Sequence, residues 1–244
     1  MEDRVIKDLW GSDNVDWSSS DSVGASGGIV TMWKKDLFSL IFSFRGEGFL
    51  GLCVESEGKL CYFVNVYASC DFSIRKRSWK KLINFKNNNA PGSWCVGGDF
   101  NTISNKEERI GLANKSYRKE IECFKNFIEE MDLVDPPTLG GKFTWFNNNG
   151  KAMSRIDRFL LLNCFMEAWN VQGQYIGGRD VSDHAPIWIN ENRKDWGPKA
   201  FKFNNSWLKH KDFHKFVETE WGKIHVKGRG DFVLCEKLKV LKGD

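Results

Sequence analysis

Between residues 27 and 68 the chain passes through four apolar runs separated by short polar breaks: GGIVTMW, LFSLIFSF, FLGLCVES and KLCYFVNVYA. Runs of this length, rich in β-branched and aromatic residues, read as strands, and Glu57-Gly58 between the last two reads as a hairpin turn. A chain that begins this way has to build an antiparallel meander and then cover its apolar faces. The cover is legible downstream. SIRKRSWKKLINF sets Ile74, Ser78, Leu82, Trp79 and Ile83 on one helical face, and NNNAPG breaks it. Tyr117, Ile121, Phe124, Ile128 and Met131 form a second amphipathic stripe.

Between and after these helices lie further strand candidates: WCVGGDF, then KFTWF and RIDRFLL around the turn sequence NNNG, and finally APIWI. FMEAW reads as a short helix before the last of them. Residues 11 to 26 read as turn and loop. The irregular alternation implies an α/β (α+β) sandwich of sheets covered by helices, not a regular βα repeat. From 191 onward the character changes. ENRKDWGPK reads as a linker and SWLKHKDFHKFVETEW as a lone amphipathic helix, followed by a charged, Gly-punctuated tail. The expected organisation is one domain over 1–190 and an appendage over 191–244.

Composition narrows the classes. At 244 residues, 41% hydrophobic and with eleven Trp, the chain is globular and not disordered. A net charge of +4 permits an anionic partner without requiring one. The seven Cys include no C-x-x-C pair, and Cys53, Cys61 and Cys95 lie inside apolar runs. They read as reduced thiols of an intracellular protein, with neither a disulfide framework nor a zinc site. MEDRVIKDLW has no signal-peptide core and no apolar run approaches ~20 residues, so secretion and membrane spanning are not expected. The sequons at Asn114 and Asn204 then carry little meaning.

Four polar clusters share one position, at or near the end of an apolar strand: Asn65 and Tyr67, Asp99 and Asn101, Arg155 and Asp157, Asp183 and His184. Each has a structural reading when taken alone: an Asx turn for GDFN, a capped turn before proline for SDHAP, and a surface ion pair for Asp157 with Arg158. Together they read differently. Asp-x-Asn offers oxygen ligands for a hard divalent cation, and a His oriented by an Asp is the arrangement of a general base. With a Tyr hydroxyl, and an Arg for phosphate oxygens, the set suits metal-assisted phosphodiester hydrolysis. Trp145 and Phe146 lie near the presumed rim, where they can contact nucleobases. Weaker signals point elsewhere. His210 and His214 stand four apart without a third ligand, GASGG lacks nucleotide-binding spacing, and the lysines around 80 and 199 read as ordinary surface.

In order and spacing, NVYA, GGDFN, FTW, SRIDRFLL and SDHAPI resemble the endonuclease/exonuclease/phosphatase superfamily. WGSDNVDW, SVGASGGIVTMW and ERIG resemble in particular the endonuclease domain of plant LINE-type (non-LTR) retrotransposon polyproteins. The resemblance implies two packed mixed β-sheets flanked by helices, a four-layer sandwich, and DNA cleavage with Mg2+. It implies that Asp99 orients the attacking water and Asn101 holds the scissile phosphate. His184 would contact that phosphate and receive a proton, with its ring fixed by Asp157, and Asp183 would sit near the metal. Asn65 and Tyr67 would line the phosphate site, supported by Thr144 and Ser154. The family implies a nuclear location, no nucleotide cofactor and a reverse transcriptase in cis, of which no polymerase motif is present here.

The family also carries an Asn and a metal-binding Glu on its first strands, and MEDRVIKDLWGS resembles the segment just after that Glu. The expectation is therefore a domain whose first strands are missing, with neither Glu2 nor Asp3 standing in and with cleavage weak or lost. The alternatives are a non-catalytic nucleic-acid-binding remnant and a phosphatase of the same superfamily.

Overall fold

The last three of the four apolar runs do form a meander, whereas the first pairs with a strand that precedes it, in a separate sheet. In the computed structural model, which describes residues 2–22, 28–56, 58–111, 117–191, 212–228 and 230–242, helix α1 (Asp3–Trp10) leads to β1 (Asp16–Ser20) and β2 (Ile29–Trp33). Next come β3 (Ser39–Gly46), β4 (Phe49–Ser56) and β5 (Lys59–Tyr67), then α2 (Phe72–Asn87) and β6 (Ser93–Asp99). The hairpin turn expected at Glu57-Gly58 lies partly outside the described residues, but β4 and β5 pair antiparallel as it requires, closing at Ser56 opposite Lys59. After β6 follow β7 (Arg109–Ile110), α3 (Arg118–Glu130), β8 (Thr138–Gly140), β9 (Trp145–Phe146), β10 (Met153–Ser154) and β11 (Asp157–Leu161). Helix α4 (Asn163–Ala168), β12 (Val171–Ile176) and β13 (Ile187–Glu191) complete this part of the chain.

The central sheet has the order β11-β6-β5-β4-β3, antiparallel except for the parallel pair β5 and β6. That single parallel pair needs a crossover, and α2 supplies it. Asp71 caps α2, its carboxylate accepting from the amides of Ser73 and Ile74 at 2.8 and 3.0 Å. Strand alternation gives the sheet two apolar faces. Tyr62, Val64, Trp94 and Val96 join Trp79 and Leu82 of α2 and Phe124 and Phe127 of α3 in the main core. Leu52, Val54 and Cys61 face the other way and pack with Trp33 of β2, while Cys95 and Leu161 pack with Phe165 of α4 and Val171 of β12. Sheets β1-β2 and β13-β12-β8 lie on this second face, and β7, β10 and β9 form a separate small sheet. The fold is thus a mixed α/β sandwich of packed sheets and helices. Cys53, Cys61 and Cys95 are buried free thiols, as their apolar setting predicts.

Some expected loops are regular structure. Residues 11 to 26 contain β1, whose five residues pair in register with β2 from Asp16 opposite Trp33 to Ser20 opposite Ile29. DWSSS hides this strand because serines lack the apolar signal that marks the others. Positions 195 onward form a separate compact unit. It holds α5 (Phe213–Lys223) and a second helix, α6 (Gly230–Lys242), where the sequence suggests one helix and a tail. The linker over 192–199, His210, the start of the SWLKHKDF segment and both sequon asparagines lie outside the described residues. No described helix is long and apolar enough to cross a membrane.

Candidate active site

The two glycines before Asp99 are a packing device. A Cβ on Gly97 would sit 2.6 Å from ring atoms of Phe159, its cross-strand partner, whose ring occupies the space that glycine leaves. Gly98 has φ +130°, and a Cβ there would lie 2.1 Å from the Val66 carbonyl oxygen. Only glycine lets β6 press this closely against both neighbours. The register then sets Asp99 opposite Tyr67 on β5 and opposite Asp157 on β11. Three polar strand ends from different parts of the chain meet in one row.

His184 enters from a fourth segment. Trp145 of β9 forms a bridge to His184, and the Phe146 amide donates to the Asp183 carbonyl at 2.9 Å. Thr144, fully buried, links this segment to β11. Its hydroxyl accepts from the amides of Ile156 and Asp157, both at 3.0 Å, and its carbonyl accepts from the Ala185 amide at 2.6 Å. One side chain thereby fixes Asp157 relative to His184. The His184 Nδ1 lies 2.9 and 3.1 Å from the two Asp157 carboxylate oxygens, which leaves Nε2 directed away from that pair. Ligand atoms of Asp99, Asp157 and His184 all lie within 4.8 Å of one another.

The chain beyond β6 turns back on itself. The Asn101 amide donates to Asp99 Oδ1 at 2.7 Å, closing an Asx turn, and Asn101 adopts the left-handed region at φ 52°. Its side-chain NH2 group donates to the Ala68 carbonyl at 3.1 Å and contacts the Cys70 sulfur at 3.4 Å. Those bonds leave its side-chain carbonyl as the acceptor at the site. The turn reading of GDFN is correct, and it is also what holds the site. The same is true of SDHAP, where the His184 amide donates to Ser182 Oγ at 3.0 Å.

Burial and the Asp157 charge push the Asp99 carboxyl up to about 6, against the pull of the Asn101 amide and of His184. The hydrogen bond to Asp157 raises His184, aided by the charges of Asp157, Asp99 and Asp183 and opposed by partial burial. At neutral pH the site therefore combines an ionised but strained carboxylate with an imidazole biased toward its cation. Two carboxylates and an amide oxygen, with no Lys or Arg ion-paired to either carboxylate among the described residues, fit a hard divalent cation.

The remaining sequence candidates are placed differently. Tyr67 is exposed in the Asp99 row, whereas Asn65 donates to the Val30 carbonyl at 3.1 Å and to Thr31 Oγ1 at 3.3 Å, tying β5 to β2. Ser154 is buried and accepts from Arg109 Nε at 2.9 Å, so both it and Thr144 stand behind the site. Asp183 is exposed and outside the three-residue cluster, its carboxylate accepting from the Trp145 indole N–H at 3.0 Å. The expectation of a phosphate-reaching Arg in SRIDRF is overturned, as is that of a surface ion pair at Asp157-Arg158. Arg155 and Arg158 are buried and clamped between Glu108 and Asp135, with contacts of 2.5 to 2.9 Å. This network leaves no local pattern because Glu108 and Asp135 are far from the arginines in sequence. The available signal was Arg158 itself, a charge between apolar residues in a core strand, where a carboxylate partner is required.

Among solved structures, the endonuclease domain of TRAS1, a telomere-specific non-LTR retrotransposon, matches with a TM-score of 0.57 at 15% identity, covering 78% of this chain and 90% of that one. An endonuclease/exonuclease/phosphatase family protein from Leptotrichia buccalis matches with 0.52 at 15% identity, covering 77% and 76%. One from Bacteroides thetaiotaomicron matches with 0.51 at 15%, covering 76% and 75%. At these identities the likeness is one of fold. No family model and no curated protein matches the chain.

Proposed function

We propose that this chain is a DNA endonuclease that hydrolyses phosphodiesters with a divalent cation, Mg2+ by its hard oxygen ligands, and that it derives from a plant LINE-type retroelement. The observation that carries the reading is the meeting of Asp99 with the Asp157–His184 pair at adjoining strand ends. Likeness of fold to a retrotransposon endonuclease domain supports it. In this reading Asp99, ionised above its raised pKa, accepts a proton from the attacking water. Asn101, whose side-chain NH2 is bonded to Ala68 and Cys70, orients Asp99 through its backbone amide. His184, biased toward its cation by Asp157, contacts the phosphate through Nε2 and gives its proton to the leaving oxygen as the P–O bond breaks. A divalent cation bound by Asp99 and the Asn101 carbonyl, with Asp183 nearby, would neutralise charge on the phosphorane-like transition state. The same reading places the protein in the nucleus, with a reverse transcriptase in the parent polyprotein.

Supercoiled-plasmid nicking in Mg2+ tests this. The expected result is weak nicking by the wild type that falls to background in Asp99→Ala and His184→Ala. A folded wild type that leaves plasmid intact, or nicks it as fast as both variants, would overturn the reading. Phosphate release from small phosphoesters in its place would point to the phosphatase branch.

A further inference from the structure

With Arg155 and Arg158 locked in the interior, no arginine of SRIDRF is left to grip the substrate. The loop between β12 and β13 holds a different one. It is anchored at both ends, by the Gly177 amide on the Pro186 carbonyl at 2.9 Å and by the Phe146 amide on the Asp183 carbonyl at 2.9 Å. Its exposed Arg179 lies over the face of Phe146, the guanidinium carbon 5.4 Å from the ring centroid. Arg179 makes no ion pair among the described residues, although Asp180 is its chain neighbour and Asp183 lies close in sequence. A cation–π contact of this kind seats the guanidinium without consuming its N–H donors. Phe146 is next in the chain to Trp145, which bridges His184. A guanidinium seated on the residue next to the Trp145–His184 bridge stands beside the cluster with its fork of N–H donors suited to bidentate contact with a backbone phosphate.

We propose that Arg179, held on Phe146, is a positioning residue that clamps a flanking backbone phosphate of duplex DNA and so sets the scissile phosphate at Asp99 and His184. The proposal rests on the nuclease reading above and deepens it, because a small phosphomonoester has no flanking phosphate to offer.

The test is fluorescence anisotropy with a short fluorescein-labelled duplex, in chelator so that no strand is cut, across about 50 to 200 mM salt. Arg179→Gln is expected to bind about tenfold more weakly than wild type and to lower the slope of log K against log salt by about one. Arg179→Lys is expected to recover the slope but not the full affinity, since an ammonium keeps the charge and loses the fork. In nicking assays the expected loss for Arg179→Gln appears in KM more than in kcat. An unchanged slope in Arg179→Gln beside a wild type that binds salt-dependently overturns the clamp and leaves the nuclease reading intact. A wild type that binds no duplex at all overturns both.

Discussion

Asp99 illustrates how a candidate site side chain is held against the preference of the fold. Its carboxyl titrates at about 6, where an unperturbed aspartate titrates at 3.8, because burial and Asp157 disfavour the charge. The sign follows from linkage. The unfolded chain ionises first, so the charge costs nothing below about pH 4 and its full cost is present above about pH 6. Asp99→Asn keeps the acceptor for the Asn101 amide and removes the charge. It is expected to be more stable than wild type by on the order of 2 kcal/mol at pH 8 and equal to it near pH 3.5, read by thermal or denaturant unfolding in chelator. Added Mg2+ should raise the melting temperature of wild type and not that of the variant. A variant less stable at pH 8 would show that the site is not under electrostatic strain.

At the scale of elements, what was legible was whatever signals burial by pattern. Strands β3 to β6 and helices α2 and α3 announce themselves because their apolar residues repeat at the period of the element. Strand β12 was not legible. VQGQYI contains a glycine and two glutamines, yet Gln174 is buried, its Oε1 accepting from the Phe159 amide at 2.8 Å and its NH2 group donating to Asp135 and to the Pro136 carbonyl. A polar residue satisfied only by distant partners reads as surface in one dimension. The same reason concealed the Glu108–Asp135–Arg155–Arg158 network that ties β7 and β11 behind the site. Burial opposes ionisation of Glu108, but the charge and hydrogen bonds of Arg158, the Ser104 amide and Arg155 together bring its carboxyl down to about 2. Its contribution is full above about pH 4.5 and is lost as pH falls through about 2. Glu108→Gln leaves two buried guanidinium groups with half their compensation and is expected to cost about 3 kcal/mol at pH 7, a gap that closes toward pH 2. Equal denaturant midpoints at pH 7 would sink that account. Of the site itself, Asp99, Asn101, Asp157 and His184 were legible as strand-end clusters. The supporting role of Thr144 depends on amides that only the folded chain brings together.

At the scale of the molecule, the candidate chemistry is confined to the unit that ends near position 194, and α5 and α6 belong to the other. A chain stopped after residue 194 is expected to keep the near-ultraviolet circular dichroism of its buried Trp79 and Trp94 and the same cooperative unfolding midpoint within about 0.5 kcal/mol. Loss of cooperativity in that fragment would mean that the second unit completes the first.

The row formed by Tyr67, Asp99 and Asp157 has a consequence for quality control. Side chains alternate along a strand, so sliding β11 by a single position against β6 would move Asp157 out of the row and present Ile156 or Arg158 to Asp99. Neither replacement can pair with His184 or offer oxygen to a cation. A mispaired sheet therefore lacks the cluster, and only molecules whose central sheet has closed in register bring Asp99, Asp157 and His184 together. Assembly of the Asp99 cluster is in this way tied to the completion of folding.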